Sequence, residues 1–248
     1  MVFDEETERL YSFVFSYEDF GEILAALSPL VIYKMVKYKK SVWVPCLIIF
    51  TVGVLMSVTR SGIILFTIGT LFSMLYHYRK ELYKAYMSLT LFAMTIIVAA
   101  IYIKPAFIED VFKRFGYVAQ EYSSTGDMLV AANRGNFPDA WDHVYKNLTF
   151  FGHSLARVDY HNLFLTTLEQ LGIIGSLIFF VVLLNPLIRL LRAYGKEGAN
   201  NSLVFSCILS LVLFLFNETK YEFTRTASYN AICWVLMGIY YLAAKKLV

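Results

Sequence analysis

The sequence predicts an all-α fold: a polytopic bundle of about seven transmembrane helices with one large, partly helical outer loop. Three observations predict it. Of 248 residues, 58% are hydrophobic and 17% charged, and the mean hydropathy is +0.57. A soluble domain is nearer half apolar and a quarter charged. The apolar residues are bunched into blocks close to the ~20 residues that cross a ~30 Å hydrocarbon core. Lys and Arg recur in short clusters after alternate blocks, the pattern that orients membrane helices.

The blocks, in order, are Phe20–Val36, Val42–Val58, Ile63–Tyr78, Tyr86–Ile103, Asn162–Leu184, Leu203–Phe216 and Tyr229–Ala244. Pro29, Pro45 and Gly69 fall inside them and are tolerated in membrane helices, whereas Asn185-Pro186 is expected to kink or end the fifth. Basic clusters follow the first (Lys37, Lys39, Lys40), third (Arg79, Lys80, Lys84), fifth (Arg189, Arg192, Lys196) and seventh (Lys245, Lys246) blocks. Alternation puts all four on one side, which the bias of Lys and Arg makes cytoplasmic. Nearly all the acids then lie outside. The acidic head before Phe20 lies outside too, with no basic leader. We therefore read residues 1–248 as a single membrane domain, the C-terminal part of a longer protein.

One loop is long, Lys104–Tyr160 on the outer side. Phe107, Val111, Phe115 and Val118 recur at helical spacing, and residues 127–130 are read as the start of a second helix. Pro138-Asp139-Ala140-Trp141 starts a third, with Pro in the first turn. Such a loop is expected to fold as a cap on the membrane surface.

Several classes are excluded. A net charge of +3 is too small to suggest nucleic acid. Cys46, Cys207 and Cys233 lie in apolar blocks without metal-ligand spacing and read as small hydrophobes. There is no Walker loop, G-x-G-x-x-G, G-x-S-x-G or H-E-x-x-H. No cofactor and no metal is expected.

The residues suited to chemistry gather on the outer side. Arg60 lies in the tight turn between the second and third blocks. Its planar fork grips phosphate in a way Lys cannot. The plainer alternative is an arginine reaching lipid head groups. Arg134 and Arg157 lie in the outer loop, where a solvated charge needs no explanation. His161, followed by Asn162 at the lip of the fifth block, has the titration range of a general base at neutral pH. Its alternatives are an interfacial histidine or a helix cap. His143 and His153 are nearby substitutes, and His77 is set aside as cytoplasmic. Glu169 sits eight residues into the fifth block, ~12 Å below His161 in a straight helix, and is read as structural before functional. Glu218 belongs to the last outer loop and is a candidate to orient Arg60.

These pieces in this order resemble the O-antigen ligase/polymerase superfamily of membrane glycosyltransferases. The strongest match runs from Gly152 to Gly175: a glycine turn at Gly152, then His161-Asn162-Leu163, Leu168-Glu169, Leu171-Gly172 and Ile174-Gly175. Thr59-Arg60-Ser61-Gly62 is similar to the family's Ser/Thr-Arg-x-Gly turn, and Arg134 with Trp141 to the arginine and tryptophan of its outer loop. The resemblance covers nearly the whole chain. It departs at Gly152-His153-Ser154, where Gly-x-Gly is usual, and at Glu18-Asp19, where an Asn is usual.

The resemblance implies a GT-C-like fold in a bacterial inner membrane, active on the extracytoplasmic side. It implies glycan transfer from a polyprenyl-diphosphate-linked donor to a glycan or lipid acceptor hydroxyl, without a metal. His161 would take the acceptor's proton. Arg60 and Arg134 would hold the diphosphate, with Asn162, Glu169, Arg157 and Glu218 in support. Polysaccharide polymerisation is expected before ligation onto a lipid core or protein. A transporter of lipid-linked glycans is the non-enzymatic alternative.

Overall fold

In the computed structural model the described residues are 2–4, 9–11, 17–38, 43–57, 59–84, 86–87, 89–90, 93–94, 137–153, 163–196, 201–218 and 227–247. They form α1 (Tyr17–Tyr38), α2 (Trp43–Ser57), α3 (Arg60–His77), α4 (Phe137–Lys146), α5 (Leu163–Lys196), α6 (Asn201–Glu218) and α7 (Ala227–Leu247). The described parts of 82–94 are also helical, and they are all that is described of the fourth block. The other six blocks each coincide with a helix. The all-α expectation needs one addition. β1 (Val2–Asp4) and β2 (Arg9–Tyr11) pair antiparallel, with Val2 opposite Tyr11, and β2 lies against α1 and α2.

Helix α1 is the centre of the bundle, packed on α2, α3 and α6. Side-chain contacts fix the helix directions. Ser61 near the start of α3 bonds Glu22 near the start of α1, and Lys37 and His77 line one cavity at the far ends of the same helices. So α1 and α3 are parallel. Helix α6 runs the other way. Its Ser206 meets His77, its Ser210 meets the Ala26 carbonyl, and its Asn217 meets Glu22. Helix α5 reaches the His77 end through Tyr194, bonded to Tyr76. Helix α7 lies parallel to α5, with Trp234 on Phe179 and Tyr241 under Arg189. The basic residues near the ends of α1, α3 and α5 therefore share one end of the bundle, as their spacing predicts.

The bundle has an apolar core with small hydroxylated residues buried in it, and it also exposes many large apolar residues. Ser28, Thr51, Ser57, Thr70, Ser73, Thr166, Ser176, Ser206 and Ser210 are buried. Ile49, Phe72, Leu177, Ile178, Val181, Phe216, Val235, Ile239 and Leu242 are exposed. A water-soluble bundle keeps its large apolar side chains inward, so apolar residues over the exterior as well as in the core mark a surface meant for lipid or a partner. Small hydroxylated residues between helices allow close packing where no hydrophobic drive exists. One helix is long and apolar enough to cross a membrane by itself, Leu163–Gly195; Trp43–Ser57, Ser61–His77, Ser202–Asn217 and Cys233–Lys245 are shorter apolar helices.

Two expectations about the fifth block are corrected. Helix α5 does not end at Pro186 but runs through it to Lys196. Proline there removes only the N–H that would bond the carbonyl of Val182, and Arg189 Nε stays bonded to Asn185 Oδ1 at 3.0 Å. Arg189, Arg192 and Lys196 are therefore part of the helix rather than the loop after it. The real break is at Gly172, with φ 67° and ψ −172°. It folds the chain back. The rings of Phe164 and Phe180, each eight residues from Gly172, have centroids 5.8 Å apart. In one straight helix they would sit roughly 24 Å apart along the axis. Segment 163–171 is thus a re-entrant half-helix lying beside the start of 173–196. The expected depth of Glu169 below His161 assumed a straight helix and does not hold.

Candidate functional site

The end of the bundle away from the basic clusters is built around a buried carboxylate. Glu22 is 2% exposed. Its Oε1 accepts from Ser61 Oγ and its Oε2 from Asn217 Nδ2, both at 2.5 Å. Glu22 sits in the first turns of α1, Ser61 is the second residue of α3, and Asn217 lies one residue before the end of α6. One side chain therefore ties three helix ends. A carboxylate so far from water is tolerable only with such donors. Asn217 is 3% exposed, and its Oδ1 has no hydrogen-bond partner among the described residues.

Close approach makes the cluster possible. A Cβ on Gly21 would sit 2.2 Å from Ser57 Oγ and 2.7 Å from Thr59 Oγ1. Thr59, at the N-cap of α3, spends its hydroxyl on Ser57 at 3.0 Å and makes no side-chain cap. Arg60 is then the first residue of α3. The sequence places it in a turn; the helix starts three residues before the expected boundary at Ile63, because Ile63 N already bonds Thr59 O at 3.0 Å. A helix N-terminus without a capping side chain, carrying an arginine, is an electrostatic setting for an anion. Glu218 is likewise the last residue of α6 rather than part of a loop.

The second part is the re-entrant turn. Gly152 and Gly172 both have positive φ, 78° and 67°. A Cβ on Gly152 would fall 2.2 Å from Gln170 O, and one on Gly172 would fall 2.3 Å from Gly152 N. Only glycine fits at either position. The segment around them supplies the hydrogen bonds that the broken helix lacks: His153 N to Glu169 O, Ile173 N to Thr149 O and Ile174 N to Phe150 O, at 2.9, 3.0 and 3.2 Å. Irregular backbone at a membrane helix is stable only when its amides are satisfied in this way.

Helix α4 covers the re-entrant segment. It begins at Phe137 with Pro138 in its first turn, as expected. Trp141 stacks on Phe164 at 6.3 Å, and Val144 packs with Leu165 and Leu168. His143 Nε2 lies 3.7 Å from Glu169 Oε1, an ion pair when the imidazole is protonated. Glu169 thus faces α4. His153 Nε2 meets the carbonyl of Asn147.

The sequence-predicted residues separate into two groups. Arg60, Glu169 and Glu218 have described backbone positions at this end. His161, Asn162, Arg134 and Arg157 lie outside the described residues, as do the expected helices at 107–118 and 127–130. His161 and Asn162 directly precede Leu163, the buried first residue of the re-entrant segment. Among the described residues no group of three His, Cys, Asp or Glu comes together. Sequence reasoning missed Glu22 and Asn217. The available signal was Gly21-Glu22: a glycine for close approach beside a carboxylate one turn inside an apolar helix.

No family model, no curated protein and no solved structure matches the chain.

Proposed function

We propose that this chain is a seven-span bundle in a bacterial inner membrane that transfers a glycan on the extracytoplasmic face. The donor is a polyprenyl-diphosphate-linked glycan and the acceptor a glycan or lipid hydroxyl. Polymerisation of a polysaccharide is the favoured outcome, ahead of ligation. The observation that carries the reading is the re-entrant segment. Gly152, Leu163, Leu168-Glu169, Leu171-Gly172 and Gly175 bear the resemblance, and the same glycines make the fold-back and its lock. Half-helices of this kind bring loop residues below the membrane surface, to a lipid-linked substrate.

In this reading the acceptor oxygen attacks the anomeric carbon. Its bond to the sugar forms as the bond from the sugar to the diphosphate breaks. His161 takes the acceptor's proton, and the single displacement inverts the configuration. Negative charge grows on the departing diphosphate. Arg60, at the N-terminus of α3, and Arg134 from the outer loop balance it, in the manner of fixed donors aimed where charge develops. Glu22, Ser61 and Asn217 hold the turn that carries Arg60. Asn162 and Arg157 flank His161, Glu218 follows Asn217, and Glu169 fixes the cap helix through His143.

The test is polymer formation in cells carrying His161→Ala or Arg60→Lys in the full chain, with binding of the lipid-linked donor measured in parallel. Lost polymer with retained donor binding in His161→Ala supports the enzyme. Unchanged polymer in both variants rejects it, and loss of donor delivery to the outer face points to a transporter.

A further inference from the structure

A cavity lies at the opposite end of the bundle from Glu22. It holds about 460 Å³ and is lined by Tyr33, Lys37, Tyr76, His77, Arg79 and Lys80 among others. Three of these are cations, and among the described residues none has a carboxylate partner. The one acid in its wall, Glu81, is engaged by Lys84. Two of them, Lys37 and Arg79, lie over aromatic rings instead. Lys37 Nζ lies 5.4 Å from the centre of Tyr33 and 5.6 Å from that of Tyr38. Arg79 Cζ lies 4.6 Å above Tyr76. Tyr76 is itself fixed, stacked on Phe205 at 3.7 Å and bonded to Tyr194. Two cations set over aromatics and a third beside them, with no carboxylate partner among the described residues, suit an anion.

We propose that this cavity binds the phosphate of an anionic phospholipid. Phosphate is the chemistry that three converging cations and several tyrosine hydroxyls select. The lipid source follows from what leads into the cavity. Ile68, Phe72 and Leu75 are exposed at i, i+4 and i+7 of α3, and the same stripe continues one turn later to Arg79. An acyl chain on that stripe brings its head group to Arg79, Lys80 and Lys37. Tyr33, Tyr38, Tyr76 and Tyr78 lie at the same level, as aromatic residues do at the head-group boundary. Basic pockets between membrane helices on the side of the positive clusters are suited to such head groups. The inference rests on the helices spanning a membrane and is independent of glycosyl transfer.

The experiment uses the full chain purified in neutral detergent. Short-chain phosphatidylglycerol, short-chain phosphatidylcholine and inorganic phosphate are titrated separately, and the thermal unfolding midpoint is read. Phosphatidylglycerol should raise the midpoint saturably while phosphatidylcholine does not. Lys37→Gln/Arg79→Gln/Lys80→Gln should weaken the response at least tenfold. Should the triple variant fail to fold, Lys80→Glu alone, at an exposed position, should weaken it severalfold. Lys146→Gln, on exposed α4 and away from the cavity, should leave it unchanged. A saturable response to inorganic phosphate with none to phosphatidylglycerol would support the anion site and assign it to soluble phosphate. Equal responses to both lipids, or a response that survives both cavity variants, would overturn the proposal. Loss of glycan transfer in His161→Ala has no bearing on any of these outcomes.

Discussion

Gly152 and Gly172 meet backbone to backbone, and their contact is the hinge of the candidate site. Each has a positive φ, and a Cβ on either would fall on backbone atoms of the other or of residues two before it. Gly152→Ala and Gly172→Ala should each destabilise the protein by about 2–4 kcal/mol, from left-handed strain and overpacking together. Gly238→Ala, with nothing within 4 Å of its Cβ position, should stay within about 0.5 kcal/mol of wild type. Denaturant unfolding in detergent checks this. Equal stability of all three variants would remove the fold-back.

Glu22 should behave as a structural keystone. Glu22→Ala strands the Ser61 hydroxyl and the Asn217 amide, both otherwise bonded to it, at an expected cost of about 2–4 kcal/mol. A double-mutant cycle between Glu22→Gln and Asn217→Ala should give a coupling of about 1 kcal/mol or more. Additive losses would mean that the two side chains do not share a bond.

Glu169 faces His143 across the interface with α4. Glu169→Gln should therefore keep transfer activity within a few-fold, while His161→Ala does not. A Glu169→Gln loss as deep as that of His161→Ala, in polymer yield per folded protein, would make Glu169 part of the chemistry.

The helix directions make a topological prediction. Lys80→Cys should react with a membrane-impermeant maleimide only from the cytoplasmic side, and Tyr145→Cys, on exposed α4, only from outside. Labelling of both from one side would break the alternation of spans.

Some of this was legible in the sequence. Blocks of apolar residues are local, so six helices fall where composition places them. The shared basic end is legible because Lys37, Arg79 and Arg189 each follow a block. Pro138 announced α4 because proline suits a first helical turn. The fold-back was half legible. Gly172 stands in the motif, but its partner is a backbone twenty residues upstream, and backbone contacts leave no compositional trace. Of the two outcomes expected at Pro186, a kink or an end, the end does not occur: a bundle can shelter the carbonyl that proline frees. Glu22 was hidden among the acids from Asp4 onward, which read only as lying outside. Only the meeting of α1, α3 and α6 makes it buried.

The most direct test of the central claim is a single-turnover assay with the full chain in proteoliposomes. A lipid-linked repeat unit is supplied as donor, and release of polyprenyl diphosphate is followed with and without acceptor. The account predicts acceptor-dependent release that falls roughly 10²–10⁴-fold in His161→Ala, the scale of a lost general base, with donor affinity retained. Release at the wild-type rate from His161→Ala, or no release from the wild type while donor is bound and moved, would contradict it.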